Sequence, residues 1–243
     1  MARADFAELS GMTMANAGTS GITYGASRGV SPAPGVSGCL SVRTWIDGAR
    51  FGLYSTPQLP NTSFNPTTLG ADIRAWIRCV RGPVRPFVYV SSTGETFDSH
   101  AYIAGLCRIP GSTSSRLILA KGRLDRGPML ESIEGELQLL NTGRVVPEGQ
   151  WLHVRLMAEV GDDGRVRVTL AVDRRDPPGT GFPDWSLAPG ARPTEEIEAA
   201  DVALVGGRSG FGALLDEAGS VASFTAIELL KELQPAALPP PEP

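Results

Sequence analysis

The stretch WLHVRLMAEVGDDGRVRVTLAVDRRD, residues 151–176, decides the fold. Its first half places Leu152, Val154, Leu156, Ala158 and Val160 on one face, and its second half does the same with Val166, Val168, Leu170 and Val172. Alternation with a period of two marks a strand with one buried face. Opposed residues of an antiparallel pair point the same way. The two apolar rows therefore coincide only when opposed residue numbers sum to an even value. The register that also gives a standard turn pairs Gly161 with Arg165. It leaves Asp162-Asp163-Gly164 as a three-residue loop, a type I turn followed by the left-handed position that suits glycine. Ala158 then lies opposite Val168, Leu156 opposite Leu170 and Val154 opposite Val172. On the face expected to meet solvent, Glu159 lies opposite Arg167 and His153 opposite Asp173. Each complementary pair contributes from a few tenths to about 1 kcal/mol. Such a hairpin needs a second layer over its apolar face.

The same rhythm extends outward. ADIRAWIRCV puts Ile73, Ala75, Ile77 and Cys79 on one face and Asp72, Arg74, Trp76 and Arg78 on the other. RPFVYVSS, AYIAGLCRI and SRLILAKG follow, each bounded by Gly, Pro or Ser, without the helical stretches that βαβ units need. The 29 glycines and 20 prolines among 243 residues suit many turns and disfavour helices. A composition that is 42% hydrophobic and 20% charged suits a packed, soluble core. ASFTAIELLKEL reads as a strand from Ala222 followed by a brief helical turn, since Ile227, Leu230 and Leu233 also fit a helical face. The chain is read as a Gly/Ala/Ser-rich arm or short edge strands over residues 1–35, one β domain over 36–231, and a Pro-rich tail over 232–243. The Pro-rich segment 174–194 carries Phe182 and Trp185, which are expected to pin it to the body or to meet a partner.

Several function classes are disfavoured. A net charge of −4 without a basic, aromatic-interleaved stripe argues against nucleic acid. No run of about 18 apolar residues spans a membrane, and the first residues do not form a secretory signal. Cys39, Cys79 and Cys107 lack metal or redox spacing and are read as buried free thiols of a protein made in a reducing compartment. His153 with Asp173 is a cross-strand pair with no nucleophile beside it, and His100 is the remaining histidine. GDDG is explained by the turn and lacks the recurring acids of a calcium loop. Glu131, Glu134 and Glu136, and Glu195, Glu196, Glu198 and Asp201, are the acids a glycosidase would draw on, but alternating Glu on a strand is read as a solvated edge. The sequon at Asn61 is read as accidental. GGRSGFG is read as a β-turn region, since no helix follows to cradle a phosphate. No cofactor and no metal is expected. Trp45, Tyr54, Trp76 and Tyr102 are the candidate surface for a glycan or a protein partner, with the core as the alternative place for their rings.

The order of these features resembles the concanavalin A-like, laminin-G-type jelly rolls. A Gly-x-Trp enters the long hairpin at EGQWLHVRLMAEVGDDGRVRVTLAVD. A Pro/Gly-rich excursion, then GGRSGFGALL and a closing ASFTAIEL, complete the likeness, which covers residues 36 to 231. The resemblance implies an all-β, two-sheet antiparallel β-sandwich (jelly roll). Its roles include glycan binding, adhesion, glycan hydrolysis and accessory parts of phage virions. The Glu-x-Asp-x-Glu strand of the hydrolase branch has no match, since Glu196-Ile197-Glu198 lacks the central Asp. The lyase branch's Arg-Glu-Leu-Arg strand and Gln-x-His are not restored by QWLH. Fold alone does not assign function. The expectation is a non-enzymatic structural or adhesive virion component of a phage or phage-tail-like particle. Its partners would be other protein subunits, as a homo-oligomer, with a cell-surface glycan as a further partner. A carbohydrate-binding, lectin-like module is the alternative, and a degenerate glycoside hydrolase or polysaccharide lyase the second alternative.

Overall fold

Fifteen strands form in a computed structural model of the chain, which describes residues 2–4, 12–14, 21–28, 38–55, 70–94, 96–131, 137–160, 166–173, 195–199 and 208–230. They are β1 (Ala2–Ala4), β2 (Met12–Met14), β3 (Ile22–Arg28), β4 (Gly38–Thr44), β5 (Ala49–Ser55), β6 (Gly70–Arg81), β7 (Val84–Ser92) and β8 (His100–Arg108). The series continues with β9 (Ser114–Arg123), β10 (Leu137–Pro147), β11 (Leu152–Val160), β12 (Val166–Asp173), β13 (Glu195–Ala199), β14 (Arg208–Leu215) and β15 (Val221–Leu230). No helix occurs among the described residues, so none is long and apolar enough to cross a membrane. One sheet runs β13-β12-β11-β6-β15-β4-β3, with β1 paired to β15 beyond the end of β4. The other runs β10-β9-β8-β7-β14-β5-β2. The described pairings are antiparallel throughout, and the fold is a two-sheet antiparallel β-sandwich.

The hairpin at residues 152–173 forms in the expected register, with Ala158 opposite Val168, Leu156 opposite Leu170 and His153 opposite Asp173. Its turn, residues 161–165, lies outside the described residues. The apolar row of β6 (Ile73, Ala75, Ile77, Cys79) joins those of β11 and β12 in the core between the sheets. Phe51, Tyr102 and Phe211 meet them from the second sheet. The two sheets lock where Phe211 of β14 meets Phe224 of β15, ring centroids 4.9 Å apart and tilted by 54°. Rings in such tilted contact add stabilisation beyond the area they bury.

Two sequence expectations need correction here. Residues 221–230 are strand throughout, with no helical turn. A bulge between Thr225 and Glu228, with Ala226 at φ 48°, shifts the register and returns Ile227 to the core. This extra residue produced the helix-like spacing of Ile227 and Leu230. The second correction concerns GGRSGFG, whose Gly210 and Gly212 lie inside β14 rather than in a turn. A Cβ on Gly212 would sit 2.6 Å from the Phe51 carbonyl oxygen and 2.9 Å from Cζ of Phe87. On the other side of β7, a Cβ on Gly105 would sit 2.5 Å from Cβ of Phe87. The register places Phe87 opposite both glycines. Its ring lies on the outer face of the second sheet, in a small core with Tyr89, Phe97, Ile103, Leu124 and Leu214. The loops at 93–99 and 124–127 hold that core down: Leu124 N–H donates to the Ser99 carbonyl at 3.0 Å and Asp125 N–H to the Phe97 carbonyl at 2.6 Å.

The three cysteines are free and buried. Burial pushes the Cys79 thiol up to about 12, partly offset by its hydrogen-bond contact with the Ser115 hydroxyl at 3.6 Å. A thiol in the unfolded chain ionises near 9.0, so between that value and about 12 the unfolded state has lost a proton that the folded state keeps. Stability must therefore fall as pH rises through this window. Denaturant midpoints at pH 7 and pH 10 are expected to drop less in Cys79→Ala than in the wild type, and an equal drop in both would exclude this linkage.

Candidate binding surface

The four aromatic residues singled out by the sequence do not form one surface. Trp45 is 58% exposed, in the tight turn between β4 and β5. Tyr54 lies on β5, opposite Gly210 of β14 and Thr13 of β2. Trp76 is only 3% exposed and Tyr102 is fully buried, so neither can serve as an accessible platform. Tyr102 fills the core between the sheets. Trp76 is on the outer face of the first sheet, but that face is itself shielded here. Its indole stacks on the His153 ring, centroids 4.7 Å apart and 6° from parallel, and packs against Ala226 and Trp151. His153 is correctly paired with Asp173 in register but is fully buried, not on a solvent face. Period-two alternation separates two faces of a strand and does not say whether the outer one is covered. Phe182 and Trp185 lie outside the described residues, as do Asn61, Glu134, Glu136 and Asp201.

The Trp45 turn is held from both sides. Thr44 Oγ1 lies 2.9 Å from the Gly21 carbonyl oxygen and 2.8 Å from that of Ile46, and accepts from Ile46 N–H at 3.1 Å. Trp45 N–H donates to the Gly21 carbonyl at 3.1 Å, and Ala218 N–H donates to the Asp47 carboxylate at 2.8 Å. Ile46, which sequence reading overlooked, is 39% exposed beside Trp45. Its position next to Trp45 in a Gly-terminated turn was the available signal. Two large apolar side chains thus stand out on a braced loop, where little ordering remains to oppose association.

Carboxylates in the described residues serve structure. Asp72 accepts two hydrogen bonds from Arg155 Nε and one from Nη2 at 2.6 Å. Asp216 is held by Arg85 at 2.7 and 3.1 Å, Asp125 by Arg123 at 2.5 and 3.0 Å, and Glu148 by Arg108 at 2.8 Å. A carboxylate clamped bidentately by a guanidinium is a poor proton donor or nucleophile. Asp125 and Asp216 line a cleft of about 110 Å³ with Arg50, Arg85, Ala49 and Leu214, where both acids are already engaged by arginine. Glu196 and Glu198 are on the edge strand β13, opposite Thr169 and Arg167. No three His, Cys, Asp or Glu residues converge as a metal site among the described residues.

No family model matches the chain, and no curated protein matches it in sequence. Solved structures match in fold. The PL-14 alginate lyase from Aplysia kurodai superposes with a TM-score of 0.50 at 10% identity, covering 88% of this chain and 91% of that one. The carbohydrate-binding module CBM66 from Bacillus subtilis gives 0.47 at 12% identity, covering 90% and 94%. The potassium-bound carbohydrate recognition domain of Emp46p gives 0.45 at 11%, covering 88% and 90%. At such identities the likeness is one of fold.

Proposed function

We propose that this chain is a non-enzymatic adhesive domain of a larger protein assembly, of the structural kind found in phage and phage-tail-like particles, docking through the Trp45–Ile46 turn. The observation that carries this reading is the contrast among its large aromatic side chains. Trp76 and Tyr102 are 3% and 0% exposed, whereas Trp45 is 58% exposed on a loop braced by hydrogen bonds. Tryptophan in such a setting is the residue type that anchors protein interfaces. The engagement of the described acids by arginine favours binding over hydrolysis.

Light scattering on concentrated protein, together with co-sedimentation with particles from the producing cell, tests the assignment. The wild type is expected to associate, and Trp45→Ala/Ile46→Ser to be monomeric and depleted from particles by about tenfold or more, as loss of an anchor worth 2 kcal/mol or so implies. The melting curve should be unchanged, since both side chains are largely outside the core. A wild type that stays monomeric, with equal incorporation of the variant, would overturn it. A second reading, carbohydrate binding, draws on the same exposed indole as a sugar-stacking ring. Retention on a glycan array that is abolished by Trp45→Ala would favour that second reading.

A further inference from the structure

We infer that the outer face of the first sheet, at the end bearing Arg43, Arg78 and Arg81, binds an acidic polysaccharide through its carboxylate or sulfate groups. The register sets Arg43 of β4 and Arg81 of β6 on either side of Val221 of β15. A register shift between Val221 and Ala222 inserts an extra β6 residue, so Arg81 leaves the side of Cys79 and joins the face of Val221. Strand spacing puts the Arg43 and Arg81 backbones about 10 Å apart. One step along β6, Arg78 lies opposite Ser223, and its guanidinium carbon stands 4.3 Å from the centroid of the Trp151 ring.

Elsewhere, arginines are bound to acids: Arg85 to Asp216, Arg108 to Glu148, Arg123 to Asp125 and Arg155 to Asp72. Arg43, Arg78 and Arg81 form no salt bridge, Arg43 and Arg81 are exposed, and Nε of the half-buried Arg78 has no hydrogen-bond partner. Burial lowers the pKa of Arg78 while it stays charged, so an anion there would relieve a desolvated cation. A protein of net charge −4 that gathers unpaired guanidinium groups on one face has a local surface complementary to anions. Guanidinium forks match carboxylate and sulfate in geometry. A spread of about 10 Å between two of them suits repeated anions along an extended chain better than one small ion. Three cations and the half-buried Trp151 are too few for the phosphate neutralisation and base stacking that single-stranded nucleic acid requires.

The face is separate from the Trp45 turn, and its test is independent of assembly. Alginate and heparin oligosaccharides are titrated into the full chain by calorimetry at low salt, with cellohexaose as the neutral control and a thymidine oligonucleotide as the alternative polyanion. The acidic sugars are expected to bind, increasingly weakly as salt rises, and cellohexaose not at all. Arg43→Gln/Arg81→Gln is expected to weaken binding by about tenfold or more with an unchanged melting curve, two charge-assisted contacts having been removed. Arg78→Gln should weaken it separately. The assignment is overturned if the acidic sugars fail to bind, if the double variant binds them as the wild type does, or if the oligonucleotide binds as tightly as they do.

Discussion

Phe87→Ala is expected to destabilise the protein by about 3–5 kcal/mol, the range for truncating a buried aromatic ring. The ring is fully buried, though it lies outside the main core between the sheets. It fills the space that Gly105 and Gly212 leave open on the two flanking strands. Its loss removes the floor on which Phe97 and Leu124 rest. The loops at 93–99 and 124–127 should therefore exchange amide hydrogens faster than the strands beneath them. The reciprocal change, Gly212→Ala, drives a methyl toward the Phe51 carbonyl oxygen at 2.6 Å and should cost about 1–3 kcal/mol through overpacking. Denaturant unfolding measures both. A loss below about 1 kcal/mol for Phe87→Ala would mean that the outer core contributes little, since ordinary surface substitutions fall within about half that.

Trp76→Ala is the second large effect, also about 3–5 kcal/mol. The stack with His153 and the contact with Ala226 disappear together, leaving an imidazole beside a cavity. Trp76→Phe keeps a ring over His153 and should lose much less. The informative comparison is between stability and binding. Had Trp76 been part of a sugar platform, its removal would abolish glycan retention at little cost in stability. The buried position predicts the reverse: a much lower unfolding midpoint, and unchanged affinity for acidic oligosaccharides in Trp76→Phe. Loss of affinity at unchanged stability would contradict the buried assignment.

The hairpin was legible because two independent patterns, apolar alternation and turn chemistry, select one register, and Leu156 does face Leu170. The segregation of Ile73, Ala75, Ile77 and Cys79 to the core was legible on the same grounds. The candidate surface was less so. Alternation places Trp76, His153 and Tyr102 on faces, but solvent exposure depends on what lies over each face, which is a tertiary property. Outside the first sheet Trp76 and His153 are covered, and Tyr102 proved to be on the inner face. Arg81 shows a second limit, because its face depends on a bulge that breaks the alternation. Gly210 and Gly212 were taken for punctuation because glycine is common in turns. The flanking Phe211, facing the core from between them, was the sign of a strand whose far side must admit a neighbouring ring.

The placement of the last two described strands has a consequence for biosynthesis. β14 lies between β7 and β5, and β15 between β6 and β4, so each sheet has its centre supplied by residues 208–230. A nascent chain halted before Arg208 holds two split half-sheets with four open inner edges. Such edges are templates for pairing with other chains. Closure requires partners as distant in sequence as Ser41 and Ser223, 182 residues apart. Contacts of that range are slow to form. The molecule is thus sealed by a late-arriving keystone hairpin, and the interval before it leaves the ribosome is when the chain most needs a chaperone.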